Sequence, residues 1–75
     1  MLKEEIRSTL EAMTTDDRVD FFCNGGQVDQ ITKTMPGFRV FSMGNGWSDQ
    51  APEHFSFSVT LKMLWNNKPH SAIWK

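Results

Sequence analysis

The chain has 75 residues, 39% of them hydrophobic and 23% charged, with a formal net charge of −1 at pH 7. This is the composition of one small globular domain, and it excludes a disordered chain and a strongly basic nucleic-acid binder. The lone cysteine, Cys23, excludes an internal disulfide. No apolar run reaches the ~20 residues of a membrane span and no secretory signal is present, so we expect a cytoplasmic protein with no membrane contact.

The first predicted element is a short amphipathic helix. Leu2, Ile6, Leu10 and Met13 recur at spacings of four and three residues, which places them on one stripe of a helix. Charged side chains occupy much of the remaining circumference. This helix is expected to end near Thr14.

A second helix is predicted directly after the first. Thr15 is a suitable N-cap, and two aspartates follow in the first turn, where the helix dipole favours negative charge. Phe21 would lie at the flank of this helix, and Asn24-Gly25-Gly26 would end it. A third short helix is expected over residues 27–34. The side chains of the second helix that are expected to face inward are Val19, Phe22 and Cys23.

A turn at Pro36-Gly37 is predicted to separate a helical part, residues 1–37, from a β-sheet part, residues 38–75, within a single domain of residues 1–75. Charge divides at the same point, because the first part carries four cationic and seven acidic side chains and the second carries four and two. Short alternating patterns predict strands near residues 38–43 and 70–74.

The clearest pattern in the chain lies at residues 55–65, FSFSVTLKMLW. Apolar side chains occupy every second position, which predicts a strand with one buried face, because successive side chains of a strand point to opposite sides. Leu61→Ala is expected to cost ~2–5 kcal/mol of stability. The buried side chains would be Phe57, Val59 and Leu61, and the exposed ones Ser58 and Thr60.

Together these elements predict an α+β fold. Two or three short N-terminal helices would pack on one face of a three-stranded antiparallel β-meander, with residues 55–65 as its central strand. The other face of the sheet would remain uncovered.

No catalytic or metal-binding motif is recognisable, and we expect neither a metal nor another cofactor. Cys23, His54 and His70 are dispersed and lack the close spacing of metal ligands. Cys23 is predicted on the apolar side of its helix, where a thiol is inert packing. A helix-turn-helix is also disfavoured, because its small first-helix position would hold Phe21 or Phe22.

The uncovered face of the sheet is the candidate binding site. Aromatic, cationic and hydroxyl side chains on such a face can contact a protein or stack a nucleic-acid base. The alternative is an ordinary solvated face, with its aromatic side chain covered by the loop at 44–53. The candidate partner-binding residues are Arg39, Phe41, Trp47, Thr60 and Lys62.

These features favour a small non-enzymatic accessory or regulatory protein, of the kind found in phages and plasmids, that acts by occupying a protein partner. The alternative is a single-stranded nucleic-acid-binding module that uses the open sheet face. The low net charge disfavours nucleic acid relative to protein. An enzyme is the least expected class, because no catalytic residue can be named.

The C-terminal strand suggests a homodimer. As an edge strand it would carry unpaired backbone groups and large apolar side chains, and only its ends hold a proline or a charge. The alternative is that its tryptophan folds beneath the helices of its own chain and leaves a monomer. The candidate dimer-edge residues are His70, Ala72, Ile73 and Trp74.

Overall fold

The computed structural model describes residues 1–43 and 54–75, which form two helices and five strands of an α+β fold. A turn of 3-10 helix, Asn24–Gly26, joins the first two strands. The elements in chain order are α1 (Lys3–Ala12), β1 (Arg18–Cys23), β2 (Val28–Lys33), β3 (Phe38–Met43), β4 (His54–Phe55), α2 (Phe57–Asn67) and β5 (Pro69–Trp74).

The five strands form one antiparallel sheet in the order β4-β3-β2-β1-β5. Strand β1 is therefore paired on both sides, and the C-terminal strand β5 lies at one edge. Both helices pack on the same face of this sheet. The core between them is formed by Ile6, Leu10, Met13, Val19, Phe21, Ile31, Phe38, Leu61 and Leu64.

The predicted arrangement of two or three helices on a three-stranded meander is wrong. The N-terminal helix is confirmed as α1, and the strands expected near 38–43 and 70–74 are confirmed as β3 and β5. The segments predicted as the second and third helices are instead strands β1 and β2, and the predicted central strand is instead helix α2. Residues 1–37 therefore hold one helix and two strands rather than a helical unit.

Strands β1 and β2 form a hairpin whose helix-facing side chains come from odd-numbered positions. Val19 lies opposite Ile31, and Phe21 lies opposite Asp29. Gly25 adopts a φ of 81° in the connection, a conformation that glycine takes without a steric penalty. In this strand Phe21 is fully buried whereas Phe22 is half-buried on the opposite face, which reverses their predicted roles.

Helix α2 begins after an N-cap serine, Ser56, which the sequence interpretation assigned to a strand. The hydroxyl of Ser56 accepts a hydrogen bond from the backbone N–H of Val59 at 3.2 Å, which satisfies a free donor of the first turn. Phe57, Leu61 and Leu64 then follow at spacings of four and three and face the sheet. Leu61 is buried and Ser58 is exposed, as predicted.

Two predictions about the same segment are wrong because its periodicity is helical. Val59 is 45% exposed although it was expected in the core. Thr60 is fully buried although it was expected in solvent, and its hydroxyl donates a hydrogen bond of 2.8 Å to the backbone carbonyl of Ser56.

The short edge strand β4 lies against the turn between β2 and β3. Gly37 has a φ of 76°, and a Cβ atom at this position would overlap the backbone carbonyl oxygen of Phe55. Glycine at position 37 therefore lets the two backbones approach each other. Only His54 and Phe55 form β4, and they pair with Arg39 and Phe38 of β3.

Candidate protein-binding surface

The predicted partner-binding residues do not share one surface. Arg39 and Phe41 lie on β3 and on the face of the sheet away from the helices, as expected. Thr60 and Lys62 lie on α2, on the opposite side of the sheet, and Thr60 is fully buried. Trp47 lies outside the described residues. Their predicted grouping followed from treating α2 as a strand, and it is corrected here.

The uncovered sheet face offers less positive charge than its composition suggests. Asp20 is only 5% exposed, and it forms ion pairs with Arg18 at 3.3 Å and with Lys75 at 3.7 Å. Both cationic side chains are therefore already paired with a carboxylate of their own chain. Arg39 is exposed on this face. Phosphate binding depends on available cations, so this ion-pair arrangement disfavours nucleic-acid binding by the open sheet face.

A different surface gathers cations around an exposed aromatic ring. Trp65 is 43% exposed on α2, and a depression lies on each side of it. One is a groove of about 520 Å³ between α1 and α2, and the other, of about 410 Å³, lies near the start of β5. We define the Trp65 surface as Trp65 with the four cationic side chains that line these depressions: Lys3, Arg7, Lys62 and Lys68.

Helical spacing explains how these side chains converge. Lys3 and Arg7 are four residues apart on α1, and Lys62 and Trp65 are three apart on α2, so each pair lies on one helical face. The two helices pack side by side, which turns both pairs toward one groove. Phe57 and Leu61 supply apolar contact within it.

The Trp65 surface is positively charged within a chain of net charge −1. Four of the eight lysine and arginine residues lie here, and no carboxylate is among the described residues that line the two depressions. Glu4 lies near Arg7 at 3.7 Å, but its side chain is largely exposed, so this pair is weak. The described residues of this surface therefore carry a net positive charge.

The sequence interpretation missed Lys3, Arg7, Trp65 and Lys68 as site residues. The capping serine and the 57-61-64 spacing were the available signals for a helix, and a helix would have placed Trp65 beside Lys62. The approach of α1 to this position depends on tertiary packing, which no local pattern encodes.

A larger groove of about 700 Å³ lies at the other end of the helix layer, near Phe55 and Phe57. Its lysine and histidine are held by the β2–β3 turn. Lys33 Nζ donates to the backbone carbonyls of Thr34 at 2.6 Å and Gly37 at 3.2 Å, and His54 Nδ1 lies 3.1 Å from the Thr34 hydroxyl. This groove therefore offers mainly apolar contacts. Such contacts provide less binding specificity than the cations of the Trp65 surface.

The candidate dimer-edge residues do lie on an edge strand. β5 pairs with β1 on one side and is the outermost strand of the described sheet. Ile73 is 49% exposed and Trp74 is 48% exposed, whereas Ala72 is half-buried. A register shift leaves His70 without a partner in β1, which makes it the extra residue of a β-bulge.

A buried polar cluster lies between the sheet and the end of α2. Asp29 is 1% exposed and accepts hydrogen bonds from the side chains of Ser42 at 2.7 Å, Asn67 at 2.7 Å and Gln27 at 2.9 Å. The Sγ of Cys23 lies 3.6 Å from the same carboxylate. These partners occupy both carboxylate oxygens, and the hydrogen bonds from Asn67 and Ser42 connect α2 and β3 to β2.

Cys23 is unsuited to nucleophilic chemistry. Burial, the negative charge of Asp29 and the hydrogen bond to Asp29 together raise the pKa of its thiol from 9.0 to about 12, and burial is the largest of these causes. The thiol rather than the thiolate is therefore present at neutral pH. Within residues 1–43 and 54–75 there is also no group of three potential metal ligands.

We predict that Cys23 reacts slowly with iodoacetamide in the folded protein. At pH 9 about half of the thiols with an ordinary pKa of 9.0 are ionised, against about one in a thousand at a pKa of about 12. Mass spectrometry of samples alkylated at pH 9, with and without denaturing urea, measures the difference. Equal rates in the two samples would show that the thiol is accessible and ionised in the native state.

No helix in the described part of the chain has the length and apolar character to cross a membrane. Comparisons with protein-family models, with curated proteins and with solved structures find no match to this chain. Function is therefore inferred from the chemistry of the described surfaces.

Proposed function

We propose that this chain is a small non-enzymatic accessory or regulatory protein that acts by binding a protein partner through the Trp65 surface. The observation that carries the proposal is a half-exposed tryptophan between two depressions lined by four cations. Tryptophan and arginine are enriched among the residues that dominate binding energy at protein interfaces. Keeping this indole in water forgoes the stabilisation that its burial in the core would provide.

The charge of the Trp65 surface specifies the chemistry of the partner. An acidic segment would meet Lys3, Arg7 and Lys62 along the interhelical groove, and its apolar side chains would contact Phe57 and Leu61. The second depression would add Lys68 beyond the indole ring. Electrostatic complementarity of this kind raises the association rate and excludes basic partners.

The proposal is tested by selecting binders from an unbiased peptide library on the immobilised protein. The selected peptides are expected to be rich in Asp and Glu with one or more large apolar residues. Trp65→Ala should weaken their binding by about 2 kcal/mol or more, as truncation of a central interface tryptophan does. Lys62→Glu should weaken the preference for acidic sequences, because it reverses one of the four charges that line the two depressions.

Arg39→Ala is the matched control, since it removes an exposed cation from the opposite side of the sheet and should leave peptide binding unchanged. Selection of neutral or basic peptides, or equal binding by the Trp65→Ala protein, would overturn the proposal. A single-stranded oligo(dT) probe in the same assay examines the alternative. Affinity for it that falls steeply with salt and depends on Arg39 would indicate nucleic-acid binding by the open sheet face.

A further inference from the structure

The outer side of β5 carries backbone groups that can extend the sheet. The backbone N–H of Lys75 donates to the carbonyl of Arg18 at 2.8 Å, which marks this pair as a hydrogen-bonded one. Hydrogen-bonded and non-hydrogen-bonded pairs alternate along an antiparallel ladder. The backbone groups of Ile73 therefore point toward β1, and those of Ala72 and Trp74 point away from it.

We propose that two copies of this chain pair through the outer sides of β5, with a two-fold axis beside Ile73. In this register Ala72 of one copy lies opposite the partner's Trp74, and Trp74 lies opposite the partner's Ala72. Each of these two pairs forms two N–H to carbonyl hydrogen bonds. The four bonds join the two five-stranded sheets into one continuous antiparallel sheet.

The side chains of β5 complement their own copies in this register. Ile73 meets the partner's Ile73 across a non-hydrogen-bonded pair, where side chains approach most closely. On the helix-facing side, the small Ala72 leaves room for the indole of the partner's Trp74. Each copy would thus cover the two half-exposed apolar side chains, Ile73 and Trp74, of the other.

Charge and strand geometry favour a second copy in this register. Lys75 would lie opposite the partner's Ser71, so no like charges oppose each other, and the Lys75 ammonium remains paired with Asp20 of its own chain at 3.7 Å. The pairing spans residues 71–75 and avoids the bulge at His70. A symmetric contact satisfies both edges at once, because the same surface is used on each copy.

This assembly goes beyond the proposed function and is separable from it, since the hydrogen bonds that form it involve no residue of the Trp65 surface. Sedimentation equilibrium at micromolar concentrations is expected to show a dimer. Ile73→Lys should weaken the dimer at least about tenfold, because two ammonium groups would face each other at the axis. Val59→Lys is the control: it charges a comparably exposed apolar residue on α2 and should leave the dimer unchanged.

Cross-linking tests the register itself. Ile73→Cys places two thiols at the two-fold axis, where the Cα separation of about 4.5 Å in a non-hydrogen-bonded pair permits a disulfide. Mild oxidation should give a covalent dimer in good yield, whereas Ala72→Cys should cross-link poorly, because position 72 faces position 74. Cys23 is buried and should not compete. A monomer mass for the unmodified protein, or equal cross-linking of the two cysteine variants, would overturn the proposal.

Discussion

Truncating Phe21 to alanine is expected to remove about 3–5 kcal/mol from the free energy of unfolding, the cost typical of a buried phenylalanine. Phe21 is fully buried on β1, the strand that pairs with both β2 and β5. A domain of this length has a stability of roughly 4–11 kcal/mol. The substitution should therefore remove a large share of the total stability and lower the urea concentration at which half of the protein is unfolded.

Phe22→Ala is the matched control for this prediction. Phe22 is the adjacent residue on the opposite face of the same strand and is only half-buried, so its truncation should cost about 1 kcal/mol. Urea denaturation of the two variants gives the comparison directly. A larger loss for Phe22 than for Phe21 would contradict the strand and restore the helical interpretation of this segment, in which Phe22 faces inward.

Asp29→Ala is expected to cost about 2–4 kcal/mol, because it removes the common acceptor of four side-chain donors. The amide of Asn67 and the hydroxyl of Ser42, both partly buried, would lose their acceptor. The end of α2 would also lose its polar attachment to the sheet. Thermal or urea unfolding followed by circular dichroism measures the change.

Gln27→Ala is the control for this prediction, because it removes a single donor of the cluster and leaves the carboxylate in place. Gln27 donates one hydrogen bond to Asp29 at 2.9 Å and is partly exposed, so its loss should cost less than about 1 kcal/mol. If Asp29→Ala proved no more destabilising than this control, the buried carboxylate would not be what holds α2 against the sheet.

The errors in predicting the fold have a common physical origin in partners distant along the chain. Residues 55–65 satisfy both an alternating and a helical pattern. The helix is favoured by the serine cap and by the five-stranded sheet, which the other segments form on the opposite side of the core. The alternating pattern also counted Val59 and Trp65 as core residues, although both remain about half-exposed.

Strand β2 was unrecognisable for a related reason. Polarity alone predicts that Val28 faces the core and Asp29 faces solvent. In the structure Asp29 is instead buried toward the helices, and Val28 lies on the other face of the sheet. The donors that make this burial tolerable, Ser42 and Asn67, lie 13 and 38 residues further along the chain. Local propensity cannot anticipate such long-range partners.

The candidate surfaces were predictable to different degrees. Predicting the exposed tryptophan of β5 required only that a short terminal strand lie at an edge of the sheet. The C-terminal alternating pattern indicated such a strand. Predicting the Trp65 surface required two things. One was the correct assignment of α2 as a helix, and the other was the position of Lys3 and Arg7, which come from the other end of the chain. The second condition is a property of the folded topology.

The two-residue length of β4 has a consequence for growth of the sheet into larger assemblies. Among the described residues, paired β5 edges would leave β4 as the outermost strand at each end of the joined sheet, and its two residues give an incoming chain few backbone groups to bind. Unlimited lateral addition of strands, as in a fibril, requires a long free edge after every step. The association would then be closed at two copies, and raising the protein concentration would saturate a dimer rather than seed a polymer.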